Sequence, residues 1–375
     1  MKEEIEGPRG TRPEEYEKTL ALAQSIFQGA DLARDFSLEW NPDNCENLRI
    51  LLVNGEPIAH VGFSQREACI LGNRVTLGLI GGVCCHPDYR NRGFAGACLQ
   101  DAIAQLTRRG VSLMPVSGRR TLYFRHHCAC AGIQYHATLS RSQLPARPPQ
   151  GLSVRPYSRE MLDDLIRLYQ QEPIRYLRSR EVMATLMERG PTEVVCLGDR
   201  PVAYAKSRGV EQAEDGSRRL GLYELTGPRE LLVAALPALV EREKLDGLVL
   251  APLYGTDTAI RWALAPLGVT VERSEWLAGT VRVVNFPLLM EQMAPYFRER
   301  LGKDFERLIY YEQDGKFVFG LGRERFELPD RTALALFLFG PQRSQDAIEP
   351  PPGPLGELLQ AVFPMPYVFP GNDNV

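Results

Sequence analysis

No stretch of the 375 residues approaches the run of about 18 apolar side chains that a bilayer-spanning helix needs. The first residues, Met1-Lys2-Glu3-Glu4-Ile5-Glu6, are acidic and lack an apolar core, so no signal peptide is expected. Charge of one sign is also missing. A net charge of −3 gives no basis for a nucleic-acid partner. Eight cysteines are scattered, mostly in apolar runs such as Cys84-Cys85, and without a secretion signal they read as buried thiols. The spacings of structural zinc sites are absent. His126-His127-Cys128-Ala129-Cys130 holds ligand types, but adjacent residues on a helix point to different faces, so no metal is expected. A cytoplasmic globular protein is expected, with neither membrane nor nucleic acid as partner.

What is present is length and punctuation. The chain is too long for one ordinary core. Pro145-Ala146-Arg147-Pro148-Pro149-Gln150-Gly151 reads as a linker, and a second break precedes Val281. The boundaries expected are 1–144, 150–279 and 280–375. In the first part a helix opens near Thr11-Arg12-Pro13. Arg49 to Val53 and Ile58 to Phe63 read as a hairpin around Asn54-Gly55, and a separate strand is expected at Ala68 to Leu71. The run Val75 to Cys85 is strand-like, and Phe94 to Arg109 is an amphipathic helix capped by Gly110. Val111 to Val116 reads as a strand, Thr121 to Gly132 as a helix, and Tyr135 to Leu139 as a closing strand. The second part echoes the first: Val194 to Tyr204 repeats the apolar-turn-Pro-(Ile/Val)-Ala-aromatic order of Leu51 to His60. Its own strand-to-helix turn, Thr226-Gly227-Pro228-Arg229, lacks the glycine pair and the arginine cluster of the first, and Pro228 removes an N–H. The third part is expected to hold a helix over Leu288 to Leu301, strands near Phe305 to Tyr311 and Lys316 to Gly320, and helices at Arg331 to Phe339 and Leu355 to Phe363. The last residues carry Tyr367, Val368, Phe369 and three prolines, unusual for a terminus, and predict an end fastened into the protein.

Between the run Val75–Cys85 and the helix at Phe94 lies Arg90-Asn91-Arg92-Gly93-Phe94-Ala95. A basic, glycine-bearing turn that opens a helix aims backbone N–H groups outward, where the helix dipole favours an anion. Gly93 lets a phosphate approach, and Arg90 and Arg92 add charge at the rim. With Pro87 and Ala95, the stretch resembles the acetyl-CoA-binding motif of the GCN-related N-acetyltransferases (GNAT), Val-x-Val-x-Pro-x-x-Arg-x-x-Gly-x-(Gly/Ala). Cys85 replaces the second Val. The three-part plan resembles the enhanced-intracellular-survival (Eis) type, in which a sterol-carrier-like domain follows two GNAT lobes.

The resemblance implies an α/β (α+β) fold: two tandem GNAT-like mixed-sheet lobes, the second without a cofactor site, and a C-terminal sterol-carrier-like α+β domain. It implies acetyl-CoA as cosubstrate and a primary amine of a small molecule, for example an aminoglycoside-like polyamine, as acceptor. Backbone groups of Val83, Cys84 and Cys85 would meet the pantetheine arm. Arg90, Asn91, Arg92, Gly93, Phe94, Ala95 and Gly96 would hold the pyrophosphate, with Ser117 at the edge. Many single-domain relatives carry a Glu on the motif strand. Leu79-Ile80-Gly81-Gly82-Val83 offers none, so the base must come from elsewhere. Tyr123 stands where the family places its proton-donating tyrosine, or it packs a helix onto the sheet. The free carboxylate of Val375 would be the base, as in the Eis type, or the tail simply packs on the core. Phe36 and Trp40 would form a substrate wall, or pack on the first helix. The resemblance also implies a homo-oligomer. Two other readings stand beside it: a lipid or small-ligand binding protein working through its last domain, and a protein or peptide N-acetyltransferase.

Overall fold

The computed structural model describes residues 3–213, 215–274 and 279–373. The chain starts with β1 (Ile5–Gly10), an edge strand absent from the sequence reading, and α1 (Tyr16–Ile26), which follows a turn opened by Pro13. A short helix, α2 (Leu32–Asp35), precedes β2 (Leu48–Val53) and β3 (Glu56–Ile70). The strands expected at Ile58–Phe63 and Ala68–Leu71 are one continuous β3. It turns at Leu71-Gly72, both with positive φ, into β4 (Asn73–Cys85). After β4 come α3 (Phe94–Arg108), β5 (Leu113–Val116) and α4 (Thr121–Arg125). The helix expected through Gly132 stops at Arg125 because His127 takes positive φ and Ala129 then bridges to Val281.

β6 (Gln134–Ser140) does not close the first sheet, contrary to the expectation for Tyr135 to Leu139. It crosses into the second sheet. The chain then runs β7 (Leu152–Pro156), α5 (Leu162–Tyr169), β8 (Ile174–Tyr176), α6 (Arg180–Glu188), β9 (Thr192–Leu197), β10 (Arg200–Gln212), β11 (Arg218–Thr226), α7 (Arg229–Glu243), β12 (Gly247–Leu253), α8 (Thr258–Leu264) and β13 (Glu272–Ser274). Of these, β8 pairs back onto β3 of the first sheet. The edge of β5 that β6 leaves is taken by β14 (Thr280–Val283), antiparallel, with Thr280 opposite Val116. Each lobe therefore holds a strand from beyond its stretch of chain. Among the described residues the two sheets run β1-β2-β3-β4-β5-β14 and β13-β6-β12-β11-β10-β9-β7. Mixed pairing arises because β4 and β5, and likewise β11 and β12, run parallel through a helical crossover.

The third part holds α9 (Phe286–Gln292) and α10 (Ala294–Leu301), a single expected helix broken at Met293 ahead of Pro295. A three-stranded sheet follows: β15 (Leu308–Gln313), β16 (Lys316–Leu321) and β17 (Glu324–Leu328), the last unforeseen. Then come α11 (Arg331–Phe339) and α12 (Pro354–Val362). Its core is packed with rings: Phe319 lies 5.5–5.6 Å from Phe286, Phe337 and Phe363, centroid to centroid. These aromatics share one core with Val75, Leu77 and Leu79 of β4. The opposite face of the first sheet, with Phe63 and Ile80, packs on Cys98, Leu99 and Leu106 of α3. Strand alternation thus gives β4 two buried sides, which explains its near-continuous apolar run. The eight cysteines are free thiols, and where burial was expected Cys69, Cys85 and Cys130 are only half-buried. No helix among the described residues is long and apolar enough to cross a membrane.

Candidate functional site

The turn between β4 and α3 stands at the N-terminus of a 15-residue helix. Asn91 has φ 63° and Gly93 φ 83°, left-handed residues on either side of Arg92 at the start of a helix, a setting in which backbone amides turn outward. A Cβ at Gly93 would meet nothing within 4 Å, so the space over the turn is open. Arg90, Asn91, Arg92 and Gly93 are exposed, and Phe94, Ala95 and Gly96 half-buried. Arg92 already has a partner. It pairs with Glu3, with Nη1 donating to Oε1 at 3.0 Å, and its guanidinium lies 4.9 Å from the Phe94 ring. Arg90 supplies charge at the rim, its Nε 3.5 Å from the Cys85 carbonyl.

Beside this turn the sheet opens. β4 and β5 pair at Leu77 with Leu113 and at Ile80 with Val116, where β5 ends. Val83, Cys84 and Cys85 run on without β5 beside them, while on the other side Cys84 and Cys85 still pair with His60 and Ala59. The register slips at Gly82, whose φ is 60°. This is a bulge that turns the end of β4 away from β5. Any side chain at Gly82 would collide: its Cβ would sit 2.8 Å from Trp40 Cζ2 and 3.0 Å from His60 Cε1. Burial pushes the Cys84 thiol up to about 12 and raises that of Cys85 too, so neither is a ready nucleophile.

Tyr123 is buried in the same core as Val83, Val116 and Cys98. Its ring presses on Gly118 just past the end of β5, where a Cβ would come within 2.8 Å of Cε2. Burial raises its phenol above the ordinary value against the pull of Arg120, so it stays protonated. Arg120 Nη1 donates to the Val83 carbonyl at 3.3 Å, bridging Tyr123's loop to the free end of β4. Ser117 is exposed and lies at a cavity of about 480 Å³ between the two lobes, bordered also by Thr280, Tyr367 and Phe369.

Trp40 and Phe36 both pack in the cluster around the first helix. Trp40 packs with Tyr16, Leu22 and Ala23 of α1, yet it also lies on the His60 ring, centroids 4.7 Å apart, at the Gly82 bulge. Phe36 is half-buried beneath the Arg189 guanidinium at 4.1 Å. The sequence reading counts Glu39 only among the acids beside Phe36 and Trp40 that would suit an organic cation, without singling it out. Its Oε1 accepts from Arg66 Nη2 at 2.9 Å, and burial pushes the carboxyl up to about 7 despite Arg66 and Arg189. His60 is fully buried and its Nδ1 meets the Gly82 carbonyl at 2.7 Å; burial drives it down to about 4, so it is neutral. The sequence signal for this site was the Gly81-Gly82 pair inside an apolar strand.

The tail reaches this side of the molecule. Met365, Tyr367, Val368 and Phe369 are buried, and Asp373 Oδ2 accepts from Arg178 Nη2 at 2.6 Å. Arg178 also holds Glu224 at 2.6 Å, which in turn accepts from the Tyr204 hydroxyl at 2.8 Å. Val375 lies outside the described residues. The second lobe's own turn is filled from within. Gly227 N donates to Glu172 Oε1 at 2.9 Å, and Arg229 pairs with both Glu172 and Asp257. A carboxylate of the chain thus stands where the first lobe leaves open space. The described residues contain no cluster of potential metal ligands, at His126 to Cys130 or elsewhere.

No curated protein matches the chain in sequence. The fold is shared with solved structures. A GCN5-related N-acetyltransferase from Anabaena variabilis aligns over 89% of this chain and 89% of its own, at 14% identity and TM-score 0.62. Eis1 from Mycobacterium abscessus aligns over 89% of this chain and 88% of its own, at 14% identity and TM-score 0.58. A conserved protein of unknown function from Enterococcus faecalis, described as a probable N-acyltransferase, aligns over 78% and 75%, at 13% identity and TM-score 0.58. Residues 8–124 match the family model of the acetyltransferase (GNAT) domain. That matched segment holds both the open turn and the parted strands, and it marks the chain as an acyltransferase.

Proposed function

We propose that this chain is an acetyl-CoA-dependent N-acetyltransferase of the Eis type that acts on a primary amine of a small molecule. The observation that carries the reading is the pairing of two features: an open, left-handed turn at Asn91 to Gly93 and the unpaired end of β4 beside it. The amides of 91–96 would take the pyrophosphate, with Arg90 at the rim and Arg92 exchanging Glu3 for phosphate. The free edge at Val83 to Cys85 would hold the pantetheine arm and orient the acetyl carbonyl. The amine attacks that carbonyl directly, with no acyl-enzyme, in keeping with the high Cys84 thiol. The protonated Tyr123 phenol gives the departing thiolate its proton. In this reading the sterol-carrier-like last domain ends in a tail that Arg178 of the second lobe fastens at Asp373, and the Val375 carboxylate serves as the base. The protein acts as a homo-oligomer in the cytoplasm, where acetyl-CoA is kept.

Against a lipid-binding role, the last domain fills its interior with its own rings. The 480 Å³ cavity lies between the lobes instead. A peptide acceptor remains the second reading, because the same cavity is lined from both lobes and the tail. The test is titration with acetyl-CoA followed by a panel of amines, polyamines and peptides monitored by thiol release. Release with small amines alone supports the reading, and release with peptides alone replaces it. A chain extended beyond Val375 loses turnover if that carboxylate acts. Normal turnover removes it from the mechanism.

A further inference from the structure

The cavity of about 480 Å³ between the lobes is walled on one side by Val116 and Ser117, at the end of β5, where β4 and β5 part. Its other wall is the second sheet. That sheet turns Ala137, Leu139, Leu248 and Leu250 toward a core shared with α7. Strand alternation puts the residues between them on the opposite face. Gln134 and His136 of β6, and Val249 and Ala251 of β12, therefore line the cavity. On this face α5 and α6 cover only the part beside β9 and β10, where Val194, Cys196 and Tyr204 pack. A Cβ at Gly221, which pairs with Val249, would meet nothing within 4 Å, so the sheet is bare there. The space is of the size that takes a small ligand.

Its chemistry is apolar with a positive charge at one edge. Val116, Val249 and the rings of Tyr367 and Phe369 supply the apolar surface. Among the described residues the lining holds no Asp or Glu and one Arg, Arg208. The register of β10 on β11 slips between Ser207 and Val210, so Arg208 sits on a bulge, a device that re-aims a side chain. Its guanidinium lies 5.3 Å from the Tyr223 ring. His136 Nδ1 is buried without a hydrogen-bond partner, a place for a polar group of an occupant. A polycation would meet a like charge here. An apolar body that ends in a carboxylate would meet a matching surface.

We infer that this cavity selects a primary amine whose apolar, ring-sized body ends in a carboxylate, with Arg208 gripping the carboxylate and the amine lying at the end of β5. The inference rests on the acetyl-transfer reading above. It narrows the acceptor, and it turns away from the polyamine that the sequence resemblance implies. A guanidinium offers paired N–H donors that a planar carboxylate accepts side by side. Tyr367 and Phe369 flank the body with flat apolar surface. The parting of β4 and β5 beside Val116 is where the thioester would meet the amine.

The test is kcat/KM, read by thiol release from acetyl-CoA, for three amines built on one ring: para-(aminomethyl)benzoate, para-methylbenzylamine and para-xylylenediamine. They differ in the far group alone, which is a carboxylate, a methyl or a second ammonium. The carboxylate leads the methyl by about tenfold to a hundredfold, and the diamine comes last. Arg208→Gln brings the carboxylate down to the level of the methyl compound, and Arg208→Glu puts the diamine first. Val249→Phe, which narrows the cavity, raises KM for all three. Acetyl-CoA affinity is measured by calorimetry for every variant and stays unchanged, which separates an altered cavity from a lost fold. A diamine that leads in the unaltered protein, or an order that Arg208→Glu leaves as it was, overturns the inference. Thiol release confined to amines outside this set overturns it too. So does octanoyl-CoA used better than acetyl-CoA and lost in Val249→Phe, which would give the cavity to the acyl chain. If the unaltered protein neither binds acetyl-CoA nor releases thiol with any amine, the acetyl-transfer reading fails first and the acceptor assignment falls with it.

Discussion

Arg178 is the clearest place to break the fastening of the tail. It is 2% exposed and holds two buried carboxylates at once, Glu224 and Asp373, each at 2.6 Å. Its guanidinium also lies 4.1 Å from the Tyr169 ring. Arg178→Met keeps the volume and removes the charge. Removing one partner of a buried ion pair costs about 3–5 kcal/mol, because the remaining charge is left uncompensated. Two routes of relief are open. Asp373 can swing out to water, which requires only the end of the tail to fray, since Tyr367, Val368 and Phe369 are held by their own burial. Glu224, on β11, cannot leave and must take up a proton. The fold of the variant therefore binds more protons than its unfolded chain above the ordinary carboxylate range, so the loss is largest at neutral and alkaline pH and shrinks as the pH falls toward 5. The assay is urea unfolding at several pH values with hydrogen exchange of single amides. The Asp373 amide, bonded to the Pro370 carbonyl at 2.8 Å, should lose protection while the Phe369 amide keeps it. Unchanged stability and unchanged exchange at Asp373 would refute the claim that Arg178 anchors the tail.

Other outcomes follow from the same geometry. Gly82→Ala forces a Cβ into a left-handed residue and against Trp40 at 2.8 Å, so it should destabilise by about 1–3 kcal/mol in thermal or urea unfolding and raise KM for the amine. Tyr123→Phe should lower kcat by about 10²-fold with acetyl-CoA affinity near normal, read by thiol release and calorimetry. Lys206 is fully buried, and its ammonium donates to the carbonyls of Leu186 at 2.9 Å and Arg189 at 2.8 Å at the end of α6. Lys206→Met should cost about 2–3 kcal/mol in urea unfolding, since those carbonyls lose a charged donor.

The strand, turn and helix from Val75 to Arg109 were legible because every signal is local: an apolar run, glycine at a left-handed position, then helical periodicity. The buried tail was legible for a similar reason, since Tyr367, Val368 and Phe369 have no cause to stand in water. The exchange of β6 and β14 was not. Tyr135 to Leu139 and Val281 to Val284 are equally fit to flank an inner strand, and which one does so depends on partners more than a hundred residues away. Glu39 was hidden for the same reason. Nothing in Asp35 to Trp40 says that Arg66, Arg189 and Asp373, from three separate parts of the chain, will act on one carboxyl. The filling of the second lobe's turn by Glu172 was half legible: the missing glycine pair and arginine cluster showed in the sequence, the carboxylate that occupies the turn did not.

The central claim is that the turn at Asn91 to Gly93 holds the pyrophosphate of acetyl-CoA. Calorimetric titration of the protein and of Gly93→Val, at matched pH and salt, tests it most directly. One acetyl-CoA should bind per chain, and the variant, which loses about 1–3 kcal/mol of stability from a side chain at φ 83° but is titrated at a temperature where it is fully folded, should bind at least about tenfold more weakly because that side chain enters the open space over the turn. Equal affinity in the two proteins, or two molecules bound per chain, would contradict the account.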